Sequence, residues 1–365
     1  MKILHTEWSD GWGGQEIRII AEMEAFRARG YEMQLAARAN SCIIREAIAR
    51  EFQHHIIEFG FAGNPKIVLQ MSQLIRNSAA DIIHTHSSKD SWTGGIAGNL
   101  VGIPVVRSRH LSSHIKRKFT NAWVYRKFPA AIIASGQHIT NQLVDDIGCN
   151  PAQVFSVPAG ADECRFQPSK ENRSAVRAEL GIPEHAPVVG MVAVLRSWKG
   201  HHILIEAVHD LIQDSPDLHL VVVGDGPCKE QLHQLAENLN ITEQIHFIGH
   251  RPDVERYFPA FDIHILPSIK NEATSQVVPQ AMLCSVANIV SNAGGLTEVI
   301  KDGFNGLVVA ADDVPALRIA INQLLLDATL RERLAKAGHK DALQRFTFTT
   351  QIDATEAVYK KLLHR

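Results

Sequence analysis

The run Met191-Val192-Ala193-Val194-Leu195-Arg196-Ser197-Trp198-Lys199-Gly200 decides the fold. Its apolar first half reads as the end of a strand over 187–193, its middle as a turn, and Gly200 as the approach to a helix over 201–213. The next apolar stretch, 219–223, reads as a strand again. Two short buried strands joined through a helix form a βαβ unit, whose strands lie parallel.

Working outward from that unit repeats it. Downstream, strands are expected at 245–248, 263–266 and 287–290, helices at 227–238 and about 275–284, and long helices from 314 to the end. Upstream, strands are expected at 2–4, 32–36, 55–58, 81–84, 105–107, 131–134 and 154–157, with helices at 15–29, 41–52, 65–77, 91–101 and 136–147. Pro168, the polar run 169–174 and Pro183 interrupt the rhythm between the two sets. No short repeat marks a solenoid. The length, 365 residues, suits roughly two domains. The sequence therefore predicts an α/β protein of two Rossmann-like parallel-sheet domains, 1–167 and 168–345, facing each other across a cleft. Ligands of open parallel sheets sit beyond the C-terminal strand ends, so the loops after strands are where chemistry is expected.

Composition excludes several classes. Lys and Arg number 37 against 39 Asp and Glu, a formal net charge of −2, which argues against bulk nucleic acid as the partner. No apolar run approaches the roughly 20 residues that span a bilayer. The N-terminal residues turn polar too early for a secretory leader. Five scattered cysteines contain no Cys-x-x-Cys, so neither a zinc site nor a disulfide framework is indicated, and a reducing cytoplasm is the expected location.

Several post-strand loops carry groups suited to ligands. Gly11-Trp12-Gly13-Gly14-Gln15-Glu16 opens the first helix with free N–H groups, although glycine turns also serve close packing. His84-Thr85-His86 ends a strand; a His-x-His pair can bind a metal, but no third ligand lies at a matching spacing, and packing at the strand end accounts for it as well. Arg107-Ser108-Arg109-His110 ends another strand, where His110 can meet a sugar hydroxyl. Lys116, Arg117 and Lys118, followed by Trp123, Tyr125 and Phe128, interleave basic and aromatic residues on an expected helix. That suits an anionic lipid surface or acceptor, or simply a solvated face. In the second domain Arg196 and Lys199 stand where a diphosphate could rest. Gly224-Asp225-Gly226-Pro227 is a tight strand-to-helix turn, and Arg251 could border a base. Glu272, Ala273, Thr274, Ser275 and Gln276, leading to Gln280, combine a carboxylate with backbone donors and suit a polyol carried on a diphosphate.

An ordered series of motifs resembles the GT-B glycosyltransferases, specifically the retaining family four. It comprises Gly13-Gly14-Gln15-Glu16, Val157-Pro158-Ala159-Gly160-Ala161-Asp162, Trp198-Lys199-Gly200, Gly224-Asp225-Gly226-Pro227 and Phe247-Ile248-Gly249. The run 272–282, Gly294-Gly295-Leu296-Thr297-Glu298-Val299-Ile300 and Asp302-Gly303-Phe304-Asn305-Gly306-Leu307-Val308-Val309 complete it. The resemblance covers essentially the whole chain in order.

It implies a nucleotide-diphosphate sugar as donor, held by the C-terminal domain, an acceptor held by the N-terminal domain, and no cofactor or metal. It also implies a closing helix, about 346–365, that returns to the first domain. By the same resemblance Lys199 and Arg196 would stabilise the departing diphosphate, Glu272 would orient the donor sugar, and His110 would contact sugar or acceptor. Gly13, Gly14, Gly224, Arg251, Ala273, Thr274, Ser275, Gln276 and Gln280 would line the donor. The residues expected at the acceptor or a membrane are His86, Arg109, Lys116, Arg117 and Lys118. Two positions depart from the family pattern: Gln280 stands where a second glutamate is usual, and Val194 where the phosphate-binding arginine is usual. The product class expected is a cell-envelope lipopolysaccharide, polysaccharide or glycolipid precursor, made at the inner membrane face. A nucleotide-sugar epimerase of the same fold, or an inactive sugar-nucleotide-binding protein, are the alternative readings.

Overall fold

A computed structural model describes residues 1–61, 63–110, 115, 120, 123–270 and 272–363. The chain divides into two compact units, Met1–Pro158 with Gln351–Arg365, and Ala159–Thr350. The division thus falls earlier than the expected 167/168, because Ala161 pairs with Thr347 and the Phe348 amide donates to the Ala161 carbonyl at 2.8 Å. The stretch after Pro158 is thereby bound into the second unit.

In the first unit the elements run β1 (Lys2–Glu7), α1 (Gly14–Ala28), β2 (Glu32–Ala37), α2 (Cys42–Ala49), β3 (Gln53–Ile56), α3 (Pro65–Ser78), β4 (Ile82–Thr85), α4 (Ser88–Val101), β5 (Val105–Arg109), β6 (Ala131–Ala134), α5 (Gln137–Asn141) and β7 (Val154–Ser156). All seven strands are parallel, in the order β3-β2-β1-β4-β5-β6-β7. Two boundaries differ instructively from expectation. Strand β1 continues to Glu7, and its polar end His5-Thr6-Glu7 is fully buried. Strand β3 lies earlier than 55–58, pairing Gln34↔Gln53 through Ala37↔Ile56. The apolar Ile57 and Phe59 are buried just past the sheet. Helix α4 starts earlier than 91 because the Asp90 carboxylate accepts from the Ser87 and His86 amides, at 3.0 and 2.8 Å, and so caps it.

The second unit contains α6 (Lys170–Glu179), β8 (Val188–Val192), α7 (His201–Asp214), β9 (His219–Val223), α8 (Lys229–Asn238), β10 (Ile245–Gly249), β11 (Ile263–Leu266), α9 (Val277–Leu283), β12 (Ala287–Ser291), α10 (Leu296–Val299), β13 (Leu307–Val309), α11 (Val314–Leu326) and α12 (Ala328–Arg345). Its parallel sheet has the order β10-β9-β8-β11-β12-β13. Strand β13, hidden within the motif 302–309, was not anticipated as a strand; it extends the sheet through Ile289↔Leu307. Continuous Val, Ile and Leu runs on β8, β9, β11 and β12 are buried on both faces, as helix-covered parallel strands require. The last helix, α13 (Phe348–Leu363), packs on the first unit: the Gln351 amide donates to Glu22 at 2.7 Å, and Arg29 pairs with Asp353 and Glu356 at 2.6 and 3.0 Å.

In each sheet the strand order reverses direction at one place, between β1 and β4 in the first unit and between β8 and β11 in the second. Chains leave in opposite directions there and open a crevice beyond the strand ends.

Candidate active site

In the second unit the loops after β8 and β11 meet at that crevice. The Ile269 amide donates to the Trp198 carbonyl at 2.8 Å, tying the loops together. Two glycines permit the approach. Gly200 has φ +78, and a Cβ there would lie 2.0 Å from the Pro267 oxygen; Gly294 has φ +56, and a Cβ there would lie 2.1 Å from the Glu272 oxygen. The result is an ion pair between Lys199 Nζ and Glu272 Oε1, with the Ser268 hydroxyl donating to the same oxygen at 2.9 Å. Glu272 is buried and Lys199 half-buried. A partly desolvated cation and carboxylate, held in place by backbone, are suited to a phosphate and a sugar hydroxyl respectively.

The other donor-side expectations fare unevenly. Ala273, Thr274, Ser275 and Gln276 form the loop that enters α9, and Gln280 lies on that helix, half-buried. Gly224 directly follows β9, its amide donating to the Gly249 carbonyl at 2.8 Å. Arg196 does not join Lys199: it is exposed, stands over the Trp198 ring at 5.0 Å, and lines a small cavity with His201, His202 and Gln231. Across the turn at Ser197–Lys199 the two cations thus have different neighbours, Trp198 for Arg196 and Glu272 for Lys199. Arg251 is likewise occupied, gripping Asp253 through two bonds of 2.9 and 3.0 Å.

The first unit holds a cavity of about 870 Å³ beyond β1, β4 and β5. Trp8, Trp92 and Tyr125 contribute aromatic walls, and Arg107, Arg109 and His110 contribute polar ones. Gly14 borders the cavity, while the Gly13 amide is already spent, donating to the Glu16 carboxylate at 2.9 Å. Arg107 is buried, lies over the Tyr125 ring at 3.8 Å, and leaves its Nε without a partner; no carboxylate pairs with it among the described residues. Tyr125, expected on an amphipathic helix, is buried within a single π-helical turn at Trp123–Lys127. Lys116, Arg117 and Lys118 lie outside the described residues.

Behind the cavity the sheet face carries a histidine cluster. Parallel register sets His5 beside His84, and alternation puts His86 and His110 on the same side. His5 supplies the third histidine that sequence spacing could not: donor atoms of His5, His84 and His86 lie within 4.8 Å of one another. Both nitrogens of His84 are committed, however, to the Tyr359 hydroxyl at 2.6 Å and the Ser108 hydroxyl at 2.8 Å. Both nitrogens of His86 are committed too, to His5 and His110, so His86 offers no nitrogen to an acceptor. The arrangement here is a hydrogen-bonded cluster. Burial drives the His5 imidazole down to about 3, and burial with neighbouring positive groups holds His84, His86 and His110 well below the usual range, so the cluster is uncharged at neutral pH. Glu7 also went unrecognised in the sequence. Its carboxylate accepts from the Trp8 and Ser9 amides and the Ser87 hydroxyl, all at 2.8 Å, and from Gln15, which fastens the loop after β1 to the loop after β4. Burial and the nearby Asp90 push its carboxyl upward. The signal that could have found His5 and Glu7 is their place at the end of the central strand next to the reversal.

Comparison with known proteins agrees with this geometry. Residues 172–341 match the family model of glycosyl transferases group 1, and residues 12–165 that of glycosyltransferase family 4. A D-inositol 3-phosphate glycosyltransferase of Stackebrandtia nassauensis is 28% identical, the match covering 97% of this chain and 88% of that one. Among solved structures, a glycosyltransferase of Rickettsia africae superposes with a TM-score of 0.89 at 20% identity, over 99% and 98% of the two chains. Alr3699/HepE of Anabaena, in complex with UDP and glucose, superposes with 0.83 at 25% identity, over 99% and 100%. The chain is a GT-B glycosyltransferase of the group 1 family. Among the described residues no helix is long and apolar enough to cross a membrane.

Proposed function

We propose that the chain moves a sugar from a nucleotide-diphosphate donor to an acceptor hydroxyl with retention of anomeric configuration and without a metal, the second unit holding the donor and the first the acceptor. The observation that carries this is the Lys199–Glu272 pair at the strand-order reversal of the second unit. Sugar transfer develops negative charge on the departing diphosphate and positive charge on the ring. Lys199 answers the first; Glu272 orients the sugar through its hydroxyls. The complex of the Anabaena relative with UDP and glucose supports a UDP-sugar as the first donor to test. His110 contacts the sugar or acceptor from the first unit.

On the acceptor side, Arg107 and Arg109 in an aromatic-walled cavity suit a polyol bearing an anionic group. The name of the Stackebrandtia relative, an inositol 3-phosphate glycosyltransferase, supports that choice. A role in making a cell-envelope precursor at the membrane face rests on the basic run Lys116, Arg117 and Lys118 alone. Liposomes of anionic lipid that retain the protein no better than neutral ones remove that part.

The test is a thermal-shift panel of nucleotide sugars, since a ligand of the folded state raises its stability, followed by transfer assays with phosphorylated polyols and chelator present. The reading expects a selective shift with one donor base and an acceptor-dependent product whose anomeric configuration matches the donor's. Conversion of the donor sugar without acceptor favours the epimerase instead, and donor binding without turnover favours an inactive binder.

A further inference from the structure

Three histidines in the first unit form a single file. His5 Nδ1 lies 2.8 Å from His86 Nε2, and His86 Nδ1 lies 3.0 Å from His110 Nε2. Successive rings are nearly parallel, at 10° and 16°. At one end, His5 Nε2 is buried with no partner. At the other, His110 lines the cavity, and its Nδ1 makes no hydrogen bond among the described residues. His84, bonded to Tyr359 and Ser108 and tilted against both His5 and His86, packs beside the file without entering it.

Each N···N contact needs one N–H and one bare nitrogen, and a neutral imidazole has one of each. The rings are therefore not independent: the file has two arrangements, with every proton on Nδ1 or every proton on Nε2. Burial keeps the rings neutral, which removes the mixed, doubly protonated arrangements. The Nε2 arrangement strands an N–H of His5 in the interior with no acceptor. Orphaned buried donors are rarer in folded proteins than under-used acceptors. The Nδ1 arrangement strands only a bare nitrogen there and turns an N–H of His110 toward the cavity.

We propose that His5 and His86 are positioning residues that hold His110 in its neutral Nδ1–H tautomer, so that it donates a hydrogen bond to an oxygen of the sugar or acceptor. This rests on the reading that His110 meets the substrate. It adds what sets that contact: a ring nitrogen's protonation follows from the bond made by the other nitrogen, and here that bond runs back through two further rings to the centre of the sheet.

The experiment uses the full chain with ring-¹⁵N histidine, and reads tautomers from long-range ¹H–¹⁵N correlation spectra at pH 7.5 alongside transfer kinetics. Two variants bracket His86. In His86→Asn the side-chain amide can present an N–H close to where Nδ1 stood; in His86→Leu nothing can. The expected result is His110 protonated on Nδ1 in the unaltered protein and in His86→Asn, with the Nε2–H form appearing in His86→Leu. Transfer kcat/KM should fall about tenfold in His86→Leu and recover to within about threefold in His86→Asn, with both variants folded by circular dichroism at the assay temperature. His110 protonated on Nε2, or doubly protonated, in the unaltered protein overturns the proposal. So do Leu and Asn variants that behave alike. A His110→Ala protein with unimpaired transfer overturns instead the substrate contact beneath it, whatever the spectra show, which separates the two failures.

Discussion

The histidines beyond the reversal point of the first sheet stand on strands or directly after them and are joined by uncharged hydrogen bonds, whereas in the second unit Lys199 and Glu272 are loop residues joined by an ion pair. His5 and His84 stand in register on adjacent strands, Ser108 lies two residues beyond Val106, the β5 partner of His84, and His86 and His110 follow their strands directly. Lys199 and Glu272 come from loops that glycine lets touch. The same topology thus positions neutral donors and acceptors on a rigid sheet in one case and opposed charges on close-packed backbone in the other. The neutral histidines suit the hydroxyls of a polyol, with Arg107 and Arg109 beside them for its anionic group, while Lys199 paired with Glu272 suits a diphosphate and the sugar it carries.

The largest expected effect comes from breaking the charged half. Lys199→Ala should lower transfer kcat/KM by about 10²–10³, the range for loss of one group that stabilises developing negative charge, with circular dichroism unchanged. Initial rates at saturating and limiting donor check it, and a near-normal rate removes Lys199 from the role.

Next is the backbone that brings the charges together. Gly200→Ala places a methyl 2.0 Å from the Pro267 oxygen at a positive φ, and should destabilise the second unit by about 3 kcal/mol. Urea denaturation followed by the single second-unit tryptophan, Trp198, in a protein whose other tryptophans are replaced by phenylalanine, measures it. A midpoint equal to that of the glycine parent would show that the loops separate freely.

The neutral half is broken by acid. His5, His84 and His86 titrate lower in the folded chain than the ordinary 6.5. Above that pH both states are neutral and the full stability is present; below it the unfolded chain takes up protons that the folded one refuses. Stability should therefore fall as pH drops from 6.5 towards about 3, by up to roughly 1.4 kcal/mol per pH unit for each such histidine. Denaturant midpoints at pH 7.5 and 5.5 check this, and a His5→Leu protein should show the shallower slope.

Smaller still is the acceptor side. Arg107→Lys keeps the charge but loses the flat group over Tyr125, and should raise the acceptor KM about tenfold with little change in kcat. Smallest are Arg196→Ala and Arg251→Ala. Arg196 is exposed over Trp198 and Arg251 is paired with Asp253, so each should change transfer by no more than about threefold. A large loss at Arg196 would restore it as the partner of Lys199.

Much of this was legible in the residues. Apolar runs of strand length alternating with amphipathic stretches mark parallel sheets, and Trp198-Lys199-Gly200 and the run from Glu272 mark loops after strands. What the residues hid has a common cause. The pairing of Lys199 with Glu272 joins positions far apart in sequence, as do the bonds between His5 and His86 and between His84 and Tyr359. The separation of Arg196 from Lys199 turns on the dihedral angles of one short turn. The polar end of β1 looked like a loop because His5, Thr6 and Glu7 break the apolar run; partners on neighbouring strands and loops make their burial possible.

By itself the sequence determined the fold class, the two-part organisation and the loops that carry function, because each depends on local periodicity and on turn chemistry within a few residues. Only the tertiary structure decided which side chains act together: sheet order places β1 beside β4 and β8 beside β11, and hydrogen-bond saturation then leaves His110 facing the cavity while His84 and His86 are fully occupied. Strand order and saturation are properties of the whole packed chain, which no window of residues contains.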